Sequence, residues 1–239
     1  MTIDMLGKLR SDLRKISSPE KAKTNAWFFK TGPGQYGEGD QFIGVTVPQQ
    51  RSLARKYQDL SFEDITSLSH SPIHEERLLS LFILVGQFKK ADPAAQKKIY
   101  EFYLSNTKQI NNWDLVDLSA DKIVGSFLED KPKDILKKLA KSESLWERRI
   151  AMIATFHYIK KGDPKLALEI AEILVNDKHD LIQKAVGWSL REIGQKCGEN
   201  YLTDFLDNFA ATMPRTALRY AIEHFSTEKR AYYLKLDKN

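Results

Sequence analysis

One pattern limits what this chain can fold into: a charged, amphipathic helical segment that recurs at a nearly constant interval. The copies are IHEERLLSLFIL from Ile73, NNWDLVDLSADK from Asn111, LWERRIAMIATF from Leu145 and LIQKAVGWSLRE from Leu181. Aligned on their apolar cores, Arg77, Trp113, Arg149 and Lys184 share one register, at spacings of 36, 36 and 35 residues. One turn later, Leu81, Asp117, Ile153 and Trp188 share a second. Residues four apart lie on the same helix face. A single helix pair cannot bury its apolar face alone, so neighbouring repeats must stack. The expected fold class is therefore all-α: a curved α-solenoid of stacked antiparallel helix pairs, forming one domain over 1–239.

Helical periodicity predicts elements at 3–16, 19–30, 49–59, 62–69, 74–89, 94–106, 112–128, 132–141, 145–160, 164–177, 180–196, 199–211, 215–225 and 227–234. Ser18-Pro19, Ser71-Pro72, Asp92-Pro93 and Asp163-Pro164 each set a capping residue before a proline at the first helical turn. No alternating run of β-branched residues is long enough for a strand. The exception to the helical pattern is the Gly-rich stretch 31–45. Lys30–Val45 holds five glycines and a proline and must be a loop. Loops of this length often carry function. It lacks both a GxGxxG after a strand and a Walker lysine, so nucleotide binding has little support.

Composition narrows the class. With 42% hydrophobic and 29% charged residues, the chain reads as a soluble globular protein. No stretch approaches the ~18–20 uncharged apolar residues of a membrane span, and no membrane partner is expected. The N-terminal segment is charged throughout and has no apolar h-region, so a secretory signal is not expected. The single Cys197 excludes an internal disulfide and reads as inert filler. The expected setting is the cytoplasm, the expected state a monomer. A net charge of +5 and a pI near 9.0 suit a nucleic-acid partner.

The two registers place Trp113, Asp117, Arg149, Lys184 and Trp188 on one expected wall. Asp117 follows Trp113 by one turn, whereas Asp114 points about 100° away. A carboxylate there either pairs with a neighbouring helix or stabilises positive charge. Glycosidic cleavage has use for the second, because its sugar becomes oxocarbenium-like. Trp113 and Trp188 are either core or contacts to sugar and base, the latter favoured by nearby basic residues. Trp146 falls outside the register and reads as core or as a helix-start anchor. Of the adjacent Arg148 and Arg149, the register selects Arg149 for the wall. Arg191, Lys184, Arg215 and Arg219 extend the basic set along the later repeats, and with Arg77 it suits phosphate contact. The histidines show no metal-ligand spacing and no nucleophile motif is present, so neither metal nor cofactor is expected.

The segments Trp113-Asp114-Leu115-Val116-Asp117, Leu145-Trp146-Glu147-Arg148-Arg149 and Ile182–Arg191 resemble the DNA alkylation repair family, the AlkD-like HEAT-repeat DNA glycosylases. The resemblance runs from about Ser17 to Phe225. The family's Trp, the Asp four residues later, the Arg of the next repeat and the second Trp fall on Trp113, Asp117, Arg149 and Trp188. The resemblance implies a repair glycosylase that excises cationic N3- and N7-alkylated purines from duplex DNA without metal or cofactor. In that reading Trp113 and Trp188 hold the lesion's deoxyribose, Asp117 stabilises the sugar cation and positions water, and Arg149 and Arg191 hold the backbone. When on DNA, the protein would be nucleoid-associated. A wall without a deep pocket implies little need to flip the base. Phe28 and Thr46 stand where family members can carry a Tyr and a Gln, and the Gly-rich loop is longer. The alternatives are a non-catalytic DNA-binding protein of the same family, which would need the basic wall but not Asp117, and a protein-interaction scaffold.

Overall fold

In the computed structural model, residues 4–236 are described; Ile3, the expected start of the first helix, lies outside them. Their regular structure is helical, and the only β-type pairing among them is an isolated bridge between Gln41 and Ile73. The all-α class is as the sequence predicts. No helix among the described residues is long and apolar enough to cross a membrane. The chain forms two compact units that divide between Ser119 and Ala120.

The first unit is built around the helix His74–Lys90, which packs against the helices Val47–Lys56, Phe62–Ser69, Pro93–Ser105 and Trp113–Asp117. Its central place shows in its burial, since twelve of its 17 residues are buried, on nearly every side. The four polar residues of its first turn, His74, Glu75, Glu76 and Arg77, are among them. Buried charge is costly unless paired, so this turn must be met by partners from elsewhere.

The second unit is organised likewise around Asp180–Lys196, which contacts Leu145–Ala154, Lys165–Leu174, Glu199–Phe209 and Arg215–Ala221. Gly187 permits the last of these contacts. A Cβ there would stand 2.3 Å from the Ala217 carbonyl oxygen, so only glycine allows the backbones to approach this closely.

Two predicted caps act as expected. Ser18 accepts from Lys21 N and Asp92 from Ala95 N, each with proline at the first helical position. At the other two the helix begins later, at His74 and Lys165, and Ser71 and Asp163 instead accept from the amides two residues on. The expected helix 112–128 is interrupted. It consists of Trp113–Asp117, a turn at Leu118 and Ser119, and a π-helical turn Asp121–Gly125. Ser119 accounts for the break: its hydroxyl donates to Leu115 O at 2.5 Å, while its amide goes to Val116 O. Bonding of a hydroxyl to the carbonyl one turn back competes with the helical ladder and bends it.

The Gly-rich stretch is a loop as predicted, and it is tied down. Gln41 N donates to Pro72 O, and His74 N to Gln41 O. At Gly44 the backbone has φ +79°, and a Cβ would lie 2.1 Å from Ser18 O. That conformation turns the amides of Ile43, Gly44 and Val45 onto Oε1 of the buried Glu75, at 3.2, 2.8 and 3.3 Å.

Candidate functional site

The polar first turn of His74–Lys90 explains how Trp113 is held. His74 is 1% exposed and lies between two carboxylates. Its Nδ1 is 3.0 Å from Asp40 Oδ2, in the Gly-rich loop, and its Nε2 is 2.8 Å from Asp114 Oδ2. Burial alone would lower the imidazole pKa, but the charge and hydrogen bond of Asp114, followed by those of Asp40, outweigh it and push it up to about 9. His74 is therefore an imidazolium at neutral pH and donates from both nitrogens. Burial would raise the Asp40 pKa, yet the hydrogen bond from His74 and the charge of Arg77 hold it below the usual carboxylate value. Asp40 also accepts from Asn112 Nδ2 at 3.1 Å, and Asn112 Oδ1 accepts from Trp113 N at 2.9 Å. One charged network thus fixes the Gly-rich loop and the start of the Trp113–Asp117 helix together.

Aromatic packing completes the setting. The Trp113 ring stacks on Phe29 with centroids 5.1 Å apart and an 11° tilt, and Phe28 meets it edge-on at 5.9 Å. Phe29 stacks on Phe42 at 5.0 Å, and Phe42 on the His74 imidazolium at 4.5 Å. Trp113 and Asp117 are both partly exposed, at the two ends of one five-residue helix. Phe28 and its neighbour Trp27 are 53% and 74% exposed, which leaves a broad aromatic surface beside Trp113. Asp114, by contrast, is buried and committed to His74.

The expected basic wall is not what the arginines form. Arg77 is buried and donates to Ser71 O, Asp40 Oδ1 and Asn111 Oδ1. Arg149 is 4% exposed and donates to Leu181 O. The shared register of these two residues is real, but its product is structural. Each reaches forward to the start of the next repeat, and neither guanidinium is open to a phosphate. The position borders the packing side of the helix, and a small rotation carries it inward. Arg191 pairs with Glu223 and is mostly buried. Arg215 donates from an Nη to Leu236 O at 3.0 Å. Lys184 is more open, and bridges to Asp180 at 2.9 Å one turn earlier.

Within the second unit, Lys184, Trp188 and Arg191 share the helix Asp180–Lys196. Trp188 is partly exposed, rests on Phe156 at 4.5 Å, and donates from Nε1 to Glu192 at 3.3 Å. Trp146 is also partly exposed rather than core. Sequence reasoning missed Phe29, Phe42, Asp40 and His74. The cue within reach was that His74-Glu75-Glu76-Arg77 opens an otherwise apolar helix.

The described residues thus form an all-helical protein in which Trp113 and Asp117 are partly exposed on one short helix of the first unit. The chain belongs to the family described as "DNA alkylation repair enzyme", whose model matches residues 9–225. Among solved structures it is similar to a "Predicted DNA alkylation repair enzyme from Enterococcus faecalis", with a TM-score of 0.67 and 16% identity over 88% of this chain and 97% of that one. It is also similar to AlkD2 from Streptococcus mutans, with a TM-score of 0.55 and 18% identity over 93% and 98% of the two chains. At such identities these two likenesses concern the fold alone. No curated protein matches.

Proposed function

We propose that this protein is a DNA glycosylase that hydrolyses the N-glycosidic bond of cationic N3- and N7-alkylated purines in duplex DNA. The observation that carries the reading is the Trp113–Asp117 helix. Its start is fixed by a buried ion network, while Trp113 and Asp117 remain partly open to solvent. Fixed carboxylates aimed where positive charge develops lower a barrier without reorganisation at the moment of reaction. Cleavage sends the C1′–N bonding pair to the alkylated ring and neutralises it, which leaves an oxocarbenium-like sugar beside Asp117. Water then adds its oxygen to C1′ and gives up a proton to the Asp117 carboxylate. A cationic base is already a good leaving group, so no separate general acid is required.

Trp113 is the proposed contact to the deoxyribose, with the exposed ring of Phe28 beside it. Trp188, on its own helix in the second unit, is proposed as a further aromatic contact to the DNA, and Lys184 as a phosphate contact. For Arg191, a phosphate contact would compete with its ion pair to Glu223.

The test is base release from methylated duplex DNA in the presence of a chelator. Wild-type protein should release N3- and N7-methylpurine, and Asp117→Asn should lose on the order of 10²–10³ in rate with DNA binding little changed. No release above the spontaneous rate would replace this reading with that of a non-catalytic DNA-binding member of the family.

A further inference from the structure

The repeat pattern predicts a wall without a deep pocket. The first unit nevertheless holds a cavity of about 310 Å³, lined among others by Phe29, Phe42, Val47, Gln50, His74 and Asp114. That is near the lower end of the volumes that take small organic ligands, about 300–1,000 Å³. The exposed Lys21 and Thr24 also line it, so it opens to solvent. Its apolar walls come from the aromatic cluster and from Val45, Val47 and Leu78. Phe29 and Phe42 are stacked on each other, on Trp113 and on His74, which leaves their edges for an occupant. Ring edges carry partial positive charge and favour the π-face of another aromatic system.

Gln50 supplies the polar feature. It is 2% exposed, its Nε2 donates to Val45 O at 2.9 Å, and its Oε1 is buried without a hydrogen-bond partner. Turning the amide over would only set oxygen against oxygen. A buried acceptor left unpaired costs about 1–3 kcal/mol and calls for a donor. The charged groups of the lining balance, Lys21 and His74 against Glu75 and Asp114. A neutral occupant is therefore favoured over an ion.

We infer that this cavity binds a neutral, purine-sized heterocycle that brings an N–H donor to Gln50. The choice of a purine rests on the proposed excision, which releases such a base. Binding itself can be measured without DNA or turnover, by calorimetry with free adenine and with 9-methylpurine, which is of similar size but has no N–H. Adenine should bind, and at least about tenfold more tightly than 9-methylpurine. Thr24→Trp, at an exposed position on a helix with no buried residue, should block the mouth and abolish binding while leaving the melting temperature unchanged. Gln50→Met should remove the preference for adenine. No adenine binding up to about 5 mM, equal binding of the two ligands, or binding that survives Thr24→Trp would each overturn the inference. These outcomes are separate from the base-release test: a protein that excises but does not bind adenine loses only the cavity's role, and one that binds adenine without excising loses only the enzyme.

Discussion

The His74 imidazolium should make the first unit sensitive to alkaline pH. In the unfolded chain its pKa is near 6.5, and in the folded protein it is about 9. The folded state therefore holds a proton that the unfolded state gives up between those values. Its stabilisation is fully present below about pH 6.5 and is lost as pH rises through about 9. At about 1.36 kcal/mol per pH unit, the whole window is worth on the order of 3 kcal/mol. The group is almost wholly buried, so solvent screening removes little of this. The measurement is urea unfolding followed by the Trp113 indole N–H resonance, at about pH 6 and about pH 10, for wild type and His74→Gln. Wild type should lose on the order of 3 kcal/mol more than the variant across the window. In parallel, one histidine ring should keep its protonated chemical shift to about pH 8. Equal pH dependence in the two proteins, or a ring that titrates near 6.5 in every histidine, would refute the assignment of a buried, doubly paired imidazolium.

Other expectations follow from single contacts. Arg149→Ala should lower stability by about 1.5–3 kcal/mol, because it removes a buried charged donor to Leu181 O, and should leave the salt dependence of DNA binding unchanged. Lys184→Ala should instead flatten the slope of log K against log salt by about 0.9 if the lysine meets a phosphate, with little change in melting temperature. Gly44→Ala should cost more than about 1 kcal/mol in thermal unfolding, given its φ of +79° and the 2.1 Å approach of the added Cβ to Ser18 O.

The helices Phe62–Ser69 and Asp180–Lys196 have the boundaries that the sequence predicts, since apolar periodicity and end signals agree there. The break at Ser119 is not legible in the sequence, because it depends on where one hydroxyl points. The registers are legible, but not their meaning. Periodicity shows that Arg77 and Arg149 are equivalent, without distinguishing an outward position from one turned just inside the packing face. The ion network lies further out of reach: Asp40 and Asp114 meet His74 across 34 and 40 residues of chain. Such pairings are fixed by tertiary packing, and no local pattern announces them.

Glu75 gives the Gly-rich loop a property of its own. Three successive amides that converge on one oxygen form the kind of concavity that elsewhere captures anions. Here the protein fills that receptor with its own carboxylate. The loop thus arrives already ordered rather than waiting for a ligand to shape it. The amide dipoles of Ile43, Gly44 and Val45 are engaged internally, so these three groups are not offered to an outside anion.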